Sequence, residues 1–130
     1  MRTLYVDAMN VIGSRPDGWW RDRPGAVRRL ADDLQPLVTD DLEVVLVVDG
    51  RPTDTLAEGR HGRIQVRYAA EAGHTGRNAA DRLILDRVAA NEGSDIEVVT
   101  ADRELAQAVE ALGATVTGPR AFRDGLAPPT

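Results

Sequence analysis

Residues 43–50 read EVVLVVDG. Five apolar residues, four of them β-branched, stand there in unbroken succession, and such a run without polar alternation marks a strand buried on both faces of a parallel sheet. Outward from it, residues 4–6, 64–68, 96–99 and 114–116 form further short apolar runs. Helical stripes lie between them: Val27, Leu30, Leu34 and Leu37 in one segment, Ile84, Leu85 and Val88 in a second, Leu105, Val109 and Leu112 in a third, with Gly113 as its stop. Strands alternating with helices require right-handed crossovers. The spacing therefore predicts an α/β chain in three α/β/α layers around a Rossmann-like, mostly parallel five-stranded sheet. Residues 8–23 and 50–62 are left as long loops.

At 130 residues the chain suits one domain, read as residues 1–124 with a tail at 125–130. It contains no cysteine, which excludes disulfides and thiolate metal sites. The N-terminus enters a strand pattern at once, without the regions of a signal peptide, and no apolar run approaches the roughly 20 residues of a membrane helix. The expectation is a cytoplasmic protein with no membrane partner. The net charge of −5 opposes non-specific attraction to phosphate backbones. All 16 basic residues are arginines, however, and they cluster at 15–29 and 51–77; the planar guanidinium suits phosphate. A solvated surface is the alternative use of such clusters.

Ligands of open α/β sheets sit outside the carboxyl ends of the strands. Asp7 ends the first strand in YVDAMNVIG (5–13), Asp49 ends the central run, and Asp102 follows VVTA (98–101). Positions 81, 84, 85 and 88 share one helix face, so Asp81 continues the stripe of Ile84, Leu85 and Val88 toward the same edge. Each acid also has a local use. Asp102 suits an N-cap, Asn78 with Asp81 a capping box, Asp49 with Gly50 a turn, and Asp7 an Asx turn. Together, four carboxylates in one crevice would raise one another's pKa values unless a cation stood among them. Oxygen donors without cysteine suit Mg²⁺ or Mn²⁺, and metal-assisted phosphodiester cleavage is the matching chemistry. Asn10 can orient a phosphate, hold a carboxylate, or serve as a turn residue.

The segments VDAMNVIG (6–13), VVDG (47–50), AADRLI (79–84) and VVTADREL (98–105) in that order resemble the NYN branch of the PIN-like nucleases, most closely the YacP-like proteins. The resemblance covers nearly the whole chain. It implies a PIN-like sheet with an acidic pocket that binds Mg²⁺ or Mn²⁺ and cleaves RNA internally. Carried over by position, the acids are Asp7, Asp49, Asp81 and Asp102, with Asn10 beside them and Thr100 as the small hydroxyl before the last acid. Where the family commonly has threonine or serine ahead of the helix acid, this chain has Asn78.

Arg51, Arg77, Arg103 and Arg15 are the candidate phosphate contacts. Trp19 and Trp20 are candidates for stacking on unpaired bases, although one of the two is expected to anchor its loop on the core. His61 and His74 lack ligand spacing and are not expected to bind metal. Phe122 is expected to pack on the body. The leading expectation is a metal-dependent endoribonuclease, with a catalytically silent RNA- or ribosome-binding module of the same fold as the alternative. An aspartyl-type phosphatase would need a lysine, and the chain has none. RNA is the expected partner, the ribosome or another ribonucleoprotein the candidate that presents it, and the protein is expected to be a monomer or weak homodimer.

Overall fold

The computed structural model describes residues 1–76, 78–91 and 95–126. Strands β1 (Arg2–Asp7), β2 (Leu42–Val48), β3 (Gly59–His61), β4 (Ile64–Tyr68), β5 (Asp95–Val99) and β6 (Thr115–Thr117) form one sheet in the order β3-β4-β2-β1-β5-β6. Every neighbouring pair is parallel except β3 with β4. Helices α1 (Ala8–Ile12) and α2 (Arg23–Asp33) lie between β1 and β2, α3 (Ala79–Ala90) between β4 and β5, α4 (Arg103–Ala111) between β5 and β6, and α5 (Pro119–Asp124) follows β6.

Period-2 alternation divides the buried strand residues between two cores. Leu4, Val6, Val44, Leu46, Val48 and Val99 meet Val11, Val27, Leu30 and Leu34 from α1, α2 and the end of α2. Tyr5, Val45, Val47, Ile96 and Val98 meet Ile84, Val88, Leu105 and Val109 from α3 and α4. Both faces of β2 are thus covered, as its unbroken valine run requires. From β1 the chain steps outward to β2 and β4, then α3 carries it back across to β5 on the other side of β1. The order reverses beside β1, so the ligand crevice of such a sheet opens between the carboxyl ends of β1 and β5.

Three features depart from the sequence expectations. The sheet has six strands, because β3 forms a hairpin with β4 within the expected loop at 50–62. Its residues, Gly59, Arg60 and His61, carry no apolar alternation, and Gln35 stitches it in place by donating to the His61 carbonyl at 2.9 Å and accepting from the Arg63 amide at 2.7 Å. Gly62 is required in the turn: its φ is +60°, and a Cβ would stand 2.5 Å from Gln35 Oε1. The expected loop at 8–23 contains α1 and a 3₁₀ turn at Trp19–Arg21, both too short to show periodicity. Finally, the buried face of α3 centres on Ala80, Leu83, Ile84 and Val88, about one residue around from the expected stripe. Leu112, the last residue of the α4 stripe, is exposed.

Helix α5 is fastened by Arg123. Its guanidinium donates to the carbonyls of Val11 and Ile12 at 3.1 and 3.2 Å and to Asp17 at 2.8 Å, satisfying carbonyls at the end of α1. Phe122 and Leu126 pack on the α1/α2 core. Arg15 reaches α5 by a second ion pair, to Asp124 at 2.7 Å, with both side chains about half exposed. Arg123→Ala is expected to lower unfolding free energy by about 1–2 kcal/mol, since charged hydrogen bonds to backbone are lost. Arg15→Ala is expected to cost less than about 0.5 kcal/mol. Urea denaturation of the two variants checks the contrast, and equal effects would show that Arg123 does not anchor the helix.

Candidate active site

The alternation that builds the α3/α4 core continues past the strand ends. Asp7 follows Tyr5 by two residues, Asp49 follows Val47, and Thr100 follows Val98, so all three are directed to the α3/α4 side. Because β1 and β5 pair Val6 with Val99, Asp7 and Thr100 come next on adjacent strands. Asp7 and Thr100 are the two buried polar residues among those described, at 2% and 3% exposure.

Their contacts form a closed circuit. Asp7 Oδ2 accepts from Asn10 Nδ2 at 2.6 Å and from Thr100 Oγ1 at 3.3 Å. Asn10 Oδ1 accepts from the Ala101 amide at 3.1 Å, and Thr100 Oγ1 accepts from the Asp102 amide at 3.1 Å. The start of α1 and the loop from β5 to α4 are therefore locked together through one carboxylate. Asp7 stands at the N-cap position of α1, where its carboxylate is held by Asn10 of that helix.

Asp102 caps α4, accepting from the Leu105 amide at 2.9 Å. Asp49 is exposed, and its Oδ1 accepts from the Ala80 amide at 2.8 Å, so a side chain at the end of β2 caps α3 from outside. The expected capping box is absent: Asn78 has a φ of 63° and makes no side-chain cap bond. Asp81, in the first turn of α3, is half-buried because the buried face centres on its neighbour Ala80.

The carboxylates crowd. Burial pushes Asp81 up to about 8, reinforced by hydrogen-bonding contact with Asp102, by the charges of Asp7 and Asp102, and by contact with Asp7. Burial likewise raises Asp7 to about 6; the charge of Asp49 adds to the rise, while hydrogen bonds from Asp81, the Asn10 backbone and Thr100 oppose it. Both carboxyls of the Asp7–Asp81 pair are thus shifted toward the protonated form, and they titrate as a pair. All four sequence-selected acids meet at one edge.

Among the described residues, no group of three or more acidic or imidazole side chains surrounds a ready-made cation position. Asp49 and Asp102 each give one oxygen to a backbone amide, and the upward shift of Asp81 favours its protonated form, whereas a metal ligand is deprotonated. The donor set still fits a hard divalent cation: every side-chain donor is oxygen, and the raised carboxylates are the groups whose repulsion a cation relieves. Asp7, Asp49, Asp81 and Asp102 are the residues that would hold it.

The outer candidates divide. Arg51 and Arg103 are exposed beside Asp49 and Asp102 in the chain. Arg77 lies outside the described residues. Arg15 is engaged with Asp124, and Trp19 packs on the α1/α2 core with the Arg23 guanidinium 5.3 Å from its ring centre. Trp19 is the expected loop anchor, while Trp20, edge-on to it at 5.8 Å, is exposed. His61 pairs with Asp32 at 2.9 Å and His74 with Asp86 at 2.8 Å. Sequence reasoning missed a cleft of about 600 Å³ whose walls include Met9, Asn10, Ala101 and Arg120. Its far wall comes from α5, a six-residue helix at the end of the described chain that gave no signal beyond Pro119.

A sheet of this order with four acids at its switch point is that of a PIN-like nuclease domain. The chain matches the model of the YacP-like NYN domain over residues 4–128 and belongs to that family. Its fold is similar to the crystal structure of Rae1 (YacP) from Bacillus subtilis, with a TM-score of 0.69 and 24% identity, covering 95% of this chain and 73% of that one. The W164L mutant of the same protein matches with a TM-score of 0.69 and 23% identity over 94% of this chain and 72% of that one. No curated protein matches the sequence.

With a folded value of about 8 against an ordinary 3.8, Asp81 binds a proton in the folded protein that the unfolded chain releases. The metal-free protein is therefore expected to lose stability as pH rises from about 4 to about 8, the contribution being whole below that window and gone above it. Asp81→Asn removes the charge while keeping the shape. It is expected to match wild type in EDTA at about pH 4 and to exceed it at about pH 9 by roughly 1 kcal/mol, discounted for partial exposure. Urea midpoints across that range check this; a difference independent of pH would place the proton elsewhere.

Proposed function

We propose that this chain is a metal-dependent endoribonuclease that hydrolyses internal RNA phosphodiester bonds at the acidic crevice between β1, β5 and α3. The observation that supports this reading best is the raised pair Asp7 and Asp81, pressed against Asp49 and Asp102 with no arginine or other cation among the contacts that shift them. Crowded carboxylates are a standing cost unless a cation and a phosphate complete the site.

A bound Mg²⁺ or Mn²⁺ would supply an activated water and neutralise charge developing on the phosphate. The protein's own part is to hold Asp7 rigid through Asn10 and Thr100, so that one carboxylate stays ionised and oriented as the site fills. Asp81 would hold the cation in its deprotonated form. Asp49 and Asp102, each fixed by one backbone amide, retain a second oxygen for the crevice. Arg51 and Arg103 supply positive charge outside the acid cluster, where a backbone phosphate needs it. The net charge of −5 supplies little long-range attraction for free RNA; this supports presentation of the substrate by a larger ribonucleoprotein such as the ribosome.

Wild type and Asp81→Asn, assayed on end-labelled RNAs with Mn²⁺, Mg²⁺ or EDTA, test the reading. Metal-dependent internal cuts are expected from wild type, reduced roughly a hundredfold or more in the variant. Because the variant is expected to fold at least as stably, lost cutting cannot be assigned to unfolding. If neither protein cuts and Mn²⁺ fails to raise the melting temperature of wild type, the nuclease reading falls and the silent binding module stands.

A further inference from the structure

We propose that the cleft beside Asn10 is a nucleotide subsite, taking one unpaired RNA base next to the bond that is cut. The proposal rests on the endoribonuclease reading and deepens it by naming where the flanking substrate sits. The cleft measures about 600 Å³ and runs from Asn10 and Ala101, the residues that position Asp7, to the N-terminal turn of α5. That volume falls in the usual range for small-ligand sites. Asn10 and Ala101 are thus common to the cleft and to the network that holds Asp7, while none of the four acids lines the cleft itself.

Three properties of the walls point to a base with its phosphate. Met9 is partly buried, and a thioether beside the cleft suits the face or edge of an aromatic ring. Arg120 is exposed, with no ion pair to any described residue, so its charge is available to a phosphate. Gly118 is a glycine without a conformational reason: its φ of −68° and ψ of 148° suit any residue, and a Cβ there would meet nothing within 4 Å. Its lack of a side chain keeps that wall open. The other large cleft, about 620 Å³ on the α2 side, differs in that four carboxylates, Asp17, Asp32, Asp33 and Asp124, line it beside Arg15, Arg29 and Arg123, of which Arg15 and Arg123 are already paired with Asp124 and Asp17.

The occupant is single-stranded, because a base inside a duplex cannot leave its stack to enter a pocket without unpairing. One base seated against a sulfur and a proline is read by shape and stacking more than by hydrogen bonds, which gives modest sequence preference.

The test measures binding of fluorescein-labelled hexaribonucleotides by anisotropy in the Asp81→Asn background, with an intact RNA and a set carrying one abasic position. Gly118→Leu, which fills the cleft without backbone strain, and Arg120→Glu are each expected to weaken binding about tenfold. One abasic position is expected to weaken binding to a similar extent in the parent and to have no further effect with Gly118→Leu, as groups sharing one contact are non-additive. In the Asp81 background, both variants are expected to keep the Mn²⁺-induced rise in melting temperature. Unchanged affinity in both variants, with RNA still bound and cut by wild type, would overturn the subsite and leave the nuclease reading intact. If wild type neither binds nor cuts RNA, the subsite falls, and the nuclease reading falls with it when Mn²⁺ also fails to raise the melting temperature.

Discussion

Asp7 is 2% exposed, and a carboxylate taken out of water at the end of an apolar strand must find its compensation within a few ångströms. It does so through Asn10, which follows one turn later on α1, and Thr100, which arrives on the adjacent strand. Those two side chains in turn accept the amides of Ala101 and Asp102. The demand of one buried acid thereby sets the start of α1, the exit of β5 and the position of the α4 cap. Register does the rest. Since Val6 pairs with Val99, any shift of β5 by one residue would turn Thr100 to the other face and leave Asp7 without its hydroxyl.

The parts of this arrangement that could be read from the sequence are those governed by long-range periodicity. The valine run of β2, the apolar ends of β1 and β5, and the positions of Asp7, Asp49 and Asp102 at strand exits all follow from patterns several residues long. What escaped was governed by single contacts. β3 exists because Gln35 bridges its hairpin, and α5 sits where Arg123 binds the last carbonyls of α1. Neither partner is near in sequence. The sequence pattern places the face of α3 about one residue away from the buried one because Ala79 and Ala80 are small enough to look neutral in a hydrophobic stripe, yet both are buried. That rotation explains why Asp81 is only half-buried.

The capping of α3 shows how the site and the fold share the same atoms. Asn78 precedes the helix in a left-handed conformation and makes no cap bond, while Asp49 serves the Ala80 amide from the end of β2. A helix start is favourable ground for negative charge, since its free amides and dipole stabilise a nearby carboxylate. Asp102 exploits the same field at α4. Two of the four acids are thus partly compensated by the amides of α3 and α4, Asp7 is compensated by Asn10 and Thr100, and the repulsion concentrates on Asp81.

That concentration is physically informative. Had the acids served only as caps and turn residues, each would have its own donor and no reason to approach another carboxylate. Asp81 instead has burial, Asp7 and Asp102 all acting to hold its proton in place. A protein that needed only stability would gain by placing an uncharged residue there, since a neutral side chain escapes the like-charge penalty at every pH. Under the nuclease reading proposed above, this crowding is what a divalent cation would relieve. The network of Asn10 and Thr100 fixes Asp7, which leaves Asp81, on the first turn of a helix and nearer to solvent, as the less constrained carboxylate of the pair.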